Sequence, residues 1–409
     1  MGDYLRVYAE NDIYMLKESL TSYFNVLKRN NIYFNPRSLS SSGVAMNFYK
    51  KNYKDLNFNL KKKIANDIRT AYFGGRCEVF GNKKTNEKVL HFDFKGMYQQ
   101  CMMESLPYKN LIFTKDGCNI NVPGFYYIIA EAKQYIPILP TRDGKLYFKN
   151  GLVRGLYWFE EILLFLQNSD VISFEIKYGY TCDSYEPVLV DFINHIAPLR
   201  GQGSAISAIG KQLINSFYGR LALRDEVEVV NFIKDSVTFD EYGLIEHFLI
   251  KKSKKKKKNY SNVAVAAAIT SKARIKLWEG FQEVINSGGR ILYCDTDSIF
   301  AAFPQHLAIE NKILGKHVLF EKNSSVREIN DTVFIAPKTY GIAYSDGTEL
   351  IKTKGFRDLD LKFNTLKSNF FSNNAYISYK KDFIQKSGMR IQQLTQTENL
   401  NISGGDKRS

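Results

Sequence analysis

The residues with the clearest capacity for chemistry lie in an acidic turn, Asp295-Thr296-Asp297-Ser298. The apolar segments on either side, residues 291–294 and 299–303, predict two β-strands joined by turn-forming residues. Because side chains alternate along an extended chain, Asp295 and Asp297 should point to the same side. Two adjacent carboxylates repel each other, and Mg²⁺ between them would remove that repulsion and keep coordination positions for phosphates. A hairpin turn that merely contains aspartates is the alternative interpretation.

A third carboxylate stands at the end of a separate predicted strand. Residues 89–94 predict that strand, with Asp93 near its end, and Gly96 separates it from a helix predicted at residues 97–106. A carboxylate in this position can serve as a further metal ligand, and Tyr98 follows where it could pack against a substrate. The alternative is an aspartate that caps the following helix, which is a common arrangement.

A predicted helix over residues 204–219 carries polar side chains on one face. Lys211, Asn215 and Tyr218 are spaced to share that face. The opposite face is apolar and consists of Ile206, Ile209, Leu213 and Phe217. The polar face offers a charge for phosphate, an amide for hydrogen bonding and a flat ring for a base. A surface helix with mixed polar residues is the alternative.

Further segments have residue types that suit contact with nucleic acid. Tyr72-Phe73-Gly74-Gly75 predicts a tight loop before a strand, and glycine lets a backbone approach another chain closely. Lys338 and Lys354 stand at the ends of later predicted strands, where they can bind phosphate. The alternatives are an ordinary turn and an exposed strand edge that carries lysines.

The composition of the chain limits its class and its partners. Its 409 residues predict two or more subdomains, and 57 Lys and Arg against 42 Asp and Glu give a net charge of +15. A chain this basic favours a polyanionic partner, first of all nucleic acid, although a lysine-rich bias is an alternative. The five scattered cysteines indicate a reducing compartment and no structural zinc site. No apolar run approaches the length of a membrane span.

These elements together point to two-metal phosphoryl transfer. In such a reaction one metal activates a hydroxyl and the other stabilises the pyrophosphate leaving group. Lys211 would neutralise triphosphate charge as the transition state forms. Positioning and charge stabilisation carry this chemistry, with little covalent work by protein groups.

Three segments resemble the motifs of family B DNA polymerases, and they occur in the family's order. Residues 293–298 resemble motif C, residues 211–219 resemble motif B, and residues 93–98 resemble motif A with Gly96-Met97 in place of the usual Ser-Leu. The branch most resembled is that of the protein-primed polymerases of viruses and linear plasmids. Its two further motifs are similar to Tyr72-x-Gly74-Gly75 and Lys338-x-Tyr340.

The resemblance implies an α+β right-hand polymerase fold, with an antiparallel palm sheet, helical fingers and a small thumb. The implied boundaries are residues 1–70 for the C-terminal remnant of a 3′–5′ exonuclease domain, 71–200 for palm with a first insertion, 201–262 for fingers helices with a second insertion, 263–345 for palm, 346–395 for thumb and 396–409 for a disordered tail. The first insertion should lie within residues 107–200 and the second within 222–262. The lysine run at residues 251–258 is expected to form a mobile loop because its charges repel one another.

The resemblance also implies roles for single residues. The catalytic carboxylates would be Asp93, Asp295 and Asp297, and the metal set would be Asp93, Phe94, Asp295 and Asp297 around two Mg²⁺ ions, with Mn²⁺ as a substitute. The nucleotide contacts would be Tyr98, Lys211, Asn215 and Tyr218, with Tyr98 excluding a ribose 2′-hydroxyl. The DNA and primer contacts would be Tyr72, Gly74, Gly75, Lys338, Tyr340 and Lys354. The expected partners of a monomeric enzyme are template, primer, dNTPs and a terminal protein that primes synthesis, with no membrane.

The N-terminal segment resembles only part of a proofreading module. Tyr8 and Asp12 fit the module's third motif, Tyr-x-x-x-Asp, and the first two motifs would lie upstream of residue 1. The chain is therefore expected to be N-terminally truncated, with an incomplete exonuclease. A catalytically inactive DNA-binding relic is the alternative function. Location is expected to be mitochondrial for an organellar linear plasmid and cytoplasmic otherwise.

Overall fold

The computed structural model describes residues 2–35, 37–38, 40–224, 226–233, 242–245, 248–256, 260–306, 319–321, 328–354, 362–371, 376–387 and 390–401. Within these residues the helices are α1 Gly2–Arg29, α2 Ser41–Asn52, α3 Lys62–Thr70, α4 Met97–Met102, α5 Phe159–Gln167, α6 Val190–Ile196, α7 Ser204–Leu221, α8 Val263–Asn286 and α9 Phe363–Phe371, with a 3₁₀ helix at Ala197–Gly201. None of the helices described here is long and apolar enough to cross a membrane.

The strands of the described residues form antiparallel sheets. They are β1 Cys77–Val79, β2 Glu87–Phe94, β3 Leu106–Pro107, β4 Leu111–Thr114, β5 Gly124–Lys133, β6 Pro140–Asp143, β7 Lys145–Phe148, β8 Gly151–Trp158, β9 Asp170–Cys182, β10 Tyr185–Glu186, β11 Glu226–Ile233, β12 Tyr242–Ile245, β13 Phe248–Lys256, β14 Arg290–Asp295, β15 Ser298–Pro304, β16 Leu319–Glu321, β17 Ile329–Ala336, β18 Thr339–Tyr344, β19 Glu349–Lys352, β20 Tyr376–Ser387 and β21 Arg390–Asn401. Helices and antiparallel sheets occur together, which confirms the predicted α+β class.

A five-stranded sheet in the order β1-β14-β15-β2-β16 forms the centre of the fold. Strand β15 is buried on both faces: Ile299 and Phe303 belong to the main core on the helical side, and Phe300 packs against the sheet β17-β18-β19 on the other side. A sheet covered on both faces needs continuous apolar strands. This requirement explains the unbroken apolar run after the acidic turn. The predicted hairpin and the predicted strand that ends at Asp93 are confirmed.

Helix α8 covers the helical face of the central sheet and lies close to it. Asn262 begins the helix by accepting a hydrogen bond from the Val265 N–H at 3.1 Å. A Cβ at Gly280 would lie 3.0 Å from a ring carbon of Phe94 and 3.1 Å from Ile299 Cδ1. The glycine therefore lets the helix pack directly on the neighbouring strands β2 and β15, which carry the acidic residues at their ends.

Helix α7 has the two faces that the sequence predicts. Its apolar face is buried: the ring of Phe217 lies 4.4 Å from that of Phe192 and 5.1 Å from that of Tyr49 in α2. On the opposite face Lys211 and Asn215 are exposed. The burial of one face against α2 and α6 thus fixes the direction in which the polar face points.

The first predicted insertion forms a sheet of its own, in the order β4-β9-β5-β8, with α5 beside it. Its two ends are joined by a short pairing of β3 with β10, in which Leu106 lies opposite Glu186. The segment from residue 107 to residue 185 therefore leaves and re-enters the fold at one place, as an inserted unit would.

The lysine run of the second insertion is not a loop over the part that the structure describes. Residues 251–256 belong to β13, which pairs with both β11 and β12. The register sets Lys254 opposite Glu228 and Lys256 opposite Glu226. Backbone pairing with β11 along the whole segment, and with β12 at Lys251, offsets the repulsion on which the loop prediction was based, so that prediction was wrong for these residues. Lys257 and Lys258 lie outside the described residues.

The C-terminal part contains α9 and the hairpin β20-β21, within the residues expected to form a thumb. Strand β21 extends to Asn401, so the disordered tail predicted from residue 396 would begin inside a strand. This boundary was misplaced because residues 396–401 of β21 pair with residues 376–381 of β20, at least 15 positions away in sequence. Residues 402–409 lie outside the described residues.

Candidate active site

Strand pairing brings the acidic residues to one end of the central sheet. Asp93 in β2 lies opposite Ser298 in β15, and the Phe94 N–H donates to the carbonyl oxygen of Asp297 at 2.8 Å. Asp295 ends the neighbouring strand β14. All three aspartates are partly exposed. Residues about 200 positions apart in the chain thus meet where three strands end.

The acidic turn has a constrained backbone. Thr296 has a φ of 63°, a left-handed conformation that is costly for a β-branched residue. Its N–H donates to the Arg76 carbonyl oxygen at 2.7 Å, and its hydroxyl donates to Asp295 Oδ1 at 3.2 Å. The Ser298 hydroxyl donates to the Asp295 carbonyl oxygen at 3.3 Å. These bonds hold the turn in a shape that sequence alone would disfavour.

The glycine loop before β1 supports this turn. A Cβ at Gly75 would lie 2.7 Å from Thr296 Cγ2, a distance that side chains do not tolerate. At Gly74 a Cβ would meet no atom within 4 Å. The close approach that was predicted for nucleic acid is, at Gly75, an approach to the acidic turn. For Tyr72, Gly74 and Gly75 the predicted DNA contact stays a prediction.

Arg274 of α8 also binds the glycine loop. This residue was not identified from the sequence. Its guanidinium donates to the carbonyl oxygens of Phe73 at 2.9 Å and Gly74 at 3.2 Å. It also donates to both carboxylate oxygens of Glu161 at 2.7 and 2.8 Å. Arg274 is 5% exposed and Glu161 is 1% exposed. A buried, fully paired arginine within apolar helices gives no periodic signal that marks its role.

Lys338 lies directly on one of the catalytic candidates. Its Nζ donates to the two carboxylate oxygens of Asp295 at 2.7 and 2.9 Å, and its N–H donates to the Tyr293 hydroxyl at 3.0 Å. Burial lowers the pKa of Lys338, but the hydrogen bond and charge of Asp295 outweigh burial and raise this pKa. The predicted primer contact is therefore part of the acidic site.

The donor set fits a hard divalent cation. Carboxylates of Asp93, Asp295 and Asp297 and the main-chain oxygen of Phe94 are the oxygen ligands that Mg²⁺ prefers, and the ammonium of Lys338 shows that a cation is accommodated at Asp295. In the described part of the chain, no three His, Cys, Asp or Glu side chains are gathered closely enough to enclose a metal ion. The role of these residues as metal ligands stays a prediction.

Two tyrosines of the predicted nucleotide-binding set lie face to face. The rings of Tyr98 and Tyr218 are 4.5 Å apart and nearly parallel, at 5°. Burial raises the pKa of both hydroxyls, and the charge of Asp297 adds to the increase in the pKa of Tyr218. Both phenols therefore stay protonated at neutral pH and can donate hydrogen bonds. Tyr98 lies in the first turn of α4, which begins three residues after β2 ends, so the stacked pair lies near the Asp93 end of the central sheet.

The structure explains why position 96 is glycine, where the motif usually has serine. Its φ is 66°, and a Cβ there would lie 2.7 Å from a guanidinium nitrogen of Arg200. That nitrogen donates to Gln99 Oε1 at 2.6 Å. A residue with a side chain would be strained and would displace Arg200. Arg200 is a second cation near the site that sequence reasoning missed.

The remaining predicted contacts are spread over the fold. Tyr340 is 6% exposed and packs against Tyr293 at 5.2 Å, and burial raises its pKa. Lys354 is exposed. Tyr8 and Asp12 are both exposed on α1, four positions apart. The structure thus gives Tyr340 a packing role in addition to the predicted primer contact.

Comparison with known proteins identifies the family. The model of the family described as DNA polymerase type B, organellar and viral, matches residues 3–302. A probable DNA polymerase of Podospora anserina is 24% identical over 420 aligned residues, which cover 89% of this chain and 34% of the relative. One of Neurospora intermedia is 25% identical over 385, covering 84% of this chain and 38% of the relative. The chain thus spans little more than a third of the length of these relatives.

Solved structures show the same fold. Phi29 DNA polymerase complexed with primer-template DNA and incoming nucleotide superposes with a TM-score of 0.69 at 18% identity, covering 88% of this chain and 67% of that one. Its complex with single-stranded DNA gives a TM-score of 0.68 at 17% identity, covering 93% of this chain and 70% of that one. These matches agree with the predicted polymerase fold. From the family match, the chain belongs to the organellar and viral type B DNA polymerases.

Proposed function

We propose that the chain is a template-directed DNA polymerase that adds deoxynucleotides from dNTPs to a primer end. One observation carries the proposal: strand register sets Asp93, Asp295 and Asp297 at one end of the central sheet, and Tyr98, stacked on Tyr218, lies in the helix that begins three residues after β2 ends. Carboxylates for metal ions and flat rings for a nucleotide are the two requirements of this reaction. The family and the Phi29 fold support the same activity.

Asp93, Asp295 and Asp297, with the main-chain oxygen of Phe94, would hold two Mg²⁺ ions, or Mn²⁺ in their place. When bound, such ions activate the attacking hydroxyl and stabilise the pyrophosphate leaving group. Lys338 would exchange its contact with Asp295 for the primer end, because its ammonium occupies the side of that carboxylate where a cation is needed.

The nucleotide would be held from the α7 side. Lys211 and Asn215 are exposed on the face that carries Tyr218, so a triphosphate would reach the ammonium of Lys211 while the sugar and base lie against the rings. Preorganised positive charge of this kind stabilises the transition state of phosphoryl transfer. Tyr98 would bar a ribose 2′-hydroxyl by its bulk.

We also propose the finer attributes of this enzyme. The DNA partners are supported by the complexes of Phi29 DNA polymerase with primer-template DNA and by the net charge of +15. By the resemblance to the protein-primed branch, a terminal protein would prime synthesis on a linear plasmid or viral DNA, and the enzyme would act as a monomer. For an organellar plasmid the location would be mitochondrial.

Primer extension tests the activity. With Mg²⁺ and four dNTPs, the chain should extend a primed template, and Asp295→Ala should reduce the rate by at least about 1,000-fold while DNA binding persists. Asp116→Ala, the same change at an exposed turn of the first insertion, is the matched control and should keep the parental rate.

Absence of extension by the parent chain, with DNA binding retained, would overturn the proposal and favour the inactive relic. Equal extension by the parent and Asp295→Ala would overturn the assignment of the acidic turn.

A further inference from the structure

An exposed cluster of lysines lies at the ends of α2 and α3. We call it the lysine surface, and its members are Lys50, Lys51, Lys54, Lys61, Lys62 and Lys63. Asp55 is the only acidic residue between positions 50 and 63. Within the part of the chain that the structure describes, Lys54, Lys61 and Lys63 form no ion pair, and all three are exposed. The surface therefore carries a positive charge that its own surroundings do not neutralise.

Aromatic rings lie among these lysines. The Nζ of Lys50 lies 3.2 Å from the centre of the Tyr260 ring, and that of Lys51 lies 3.8 Å from the centre of the Tyr33 ring. Tyr33 is 40% exposed. Phe58, three residues before Lys61, packs edge-on against Tyr260 at 5.9 Å, which joins the two groups of lysines.

The lysines are not explained by local stability. Lys61, Lys62 and Lys63 stand at the start of α3, where positive side chains interact unfavourably with the helix dipole. Ile68 on the other face already anchors this helix in the core. A cluster kept at a position that disfavours it points to an anionic partner.

The position of the lysine surface in the fold indicates which kind of anion it binds. Helix α3 has nine residues and is about 13 Å long, and it leads from the lysine surface to the loop that supports the acidic turn. This length corresponds to about four phosphate spacings of one strand. The proposed primer contact, Lys338, lies instead in the turn between β17 and β18, whose sheet covers the opposite face of the central sheet.

We propose that the lysine surface, with Tyr33 and Tyr260, binds the unpaired template strand ahead of the active site. The inference rests on the proposed polymerase function. Single strands bind where positive charge follows the backbone and exposed rings receive bases. A product duplex held at Lys338 would lie on the opposite face of the central sheet, so a strand on the α2 and α3 side would be the template before it is copied. In sequence, the lysine run of the second insertion ends two residues before Tyr260.

Binding of two DNA substrates at several salt concentrations tests this inference. One substrate is a primed template with about ten unpaired template nucleotides, and the other is the same duplex with blunt ends. Lys61→Ala with Lys63→Ala should raise the Kd of the overhang substrate by about fivefold or more and leave the blunt duplex within about twofold. The slope of log Kd against log salt should fall by about 1.4, since each phosphate contact on a single strand contributes about 0.7.

The matched control is Lys84→Ala with Lys88→Ala, two exposed lysines near the end of β2 that is remote from Asp93. This pair should change neither Kd. An equal loss for both DNA substrates, or the same loss in the control, would overturn the inference.

Primer extension by the same preparations separates the two proposals. Overhang-specific loss without any extension by the parent chain would retain the single-strand surface and reject the polymerase activity. Extension by the parent chain, with no overhang-specific loss of binding in the lysine variant, would retain the polymerase activity and reject the single-strand surface.

Discussion

At the scale of single residues, several side chains of the candidate active site both contact a neighbouring residue in the fold and have a predicted chemical role. Lys338 pairs with Asp295 and is the predicted primer contact, while Tyr340 packs against Tyr293. Glycine is required at positions 75 and 96 because a side chain there would collide with a neighbour. The neighbour of Gly75 is Thr296, and that of Gly96 is Arg200. Gly75 therefore reports on a tertiary contact, whereas Gly96 reports on both its positive φ and its contact with Arg200.

Gly75→Ala tests the support of the acidic turn. The added Cβ would lie 2.7 Å from Thr296 Cγ2, so the turn must shift by several tenths of an ångström. We expect primer extension to fall about tenfold or more, because small displacements at a reaction centre are costly, and the free energy of unfolding to fall by about 1–3 kcal/mol. Single-turnover incorporation and urea denaturation measure the two effects.

Gly74→Ala is the control for stability, since its Cβ would meet no atom within 4 Å. Adding Thr296→Gly to Gly75→Ala removes the clash and suits the positive φ, so it should restore part of the lost stability. A Gly75→Ala variant with parental stability and rate would contradict the proposed contact.

Tyr98→Val tests the sugar assignment. Loss of the ring removes the bulk that bars a 2′-hydroxyl and also the stacking partner of Tyr218. We expect the preference for dNTPs over rNTPs to fall by about tenfold or more, since each 1.4 kcal/mol of discrimination corresponds to tenfold. The ratio of kcat/KM for dCTP and rCTP measures the preference, and an unchanged ratio would remove Tyr98 from this role.

At the scale of elements, helix α8 links the inserted sheet to the catalytic end of the molecule. Its Arg274 joins Glu161 of α5 to the loop at residues 73–74, and Lys272, two positions earlier, joins Glu160 and Glu104. Both α5 carboxylates are thus bound by cations of one helix. The first insertion is consequently attached to the same elements that position the acidic turn.

Arg274→Met should strongly destabilise this junction, because it leaves the buried carboxylate of Glu161 without its guanidinium partner. Removing one partner of a buried pair costs about 3–5 kcal/mol. Replacing both partners, with Glu161→Leu added, should recover a large part of that loss. Urea denaturation measures the free energies of unfolding.

Lys272→Met is the comparison for this cycle, since Glu160 is partly exposed and can be solvated when its partner is removed. Its loss should be smaller than that of Arg274→Met. A double variant no more stable than Arg274→Met alone would show that the carbonyl contacts, and not the ion pair, dominate at this junction.

At the scale of the whole molecule, both faces of the central sheet are covered. Helices with the main core lie on one face, and the sheet β17-β18-β19 lies on the other. The carboxylates stand at the strand ends, where they are partly exposed. Lys338 and the lysine surface then fall on opposite faces, which would set a direction for bound DNA.

The sequence by itself was sufficient for the central hairpin, for strand β2, for helix α7 and for the identity of the family. The apolar run after the acidic turn, the two faces of α7 and the break at Gly96 are local signals, because burial and backbone preference repeat at the period of each element. The order of the three motifs pointed to the polymerase family that the family model also identifies. Where charge repulsion was used to predict a loop, at the lysine run, pairing with other strands overrode it.

Tertiary structure alone decided how these elements meet. The register of β2 with β15 sets Asp93 beside Asp297, and no local pattern contains that register. The contacts of Gly75 with Thr296 and of Arg274 with Glu161 join residues more than 100 positions apart, and each depends on the packing of several elements at once. Periodicity along a chain records which side of an element is buried, whereas the partner that buries it is chosen by the packing of the whole fold.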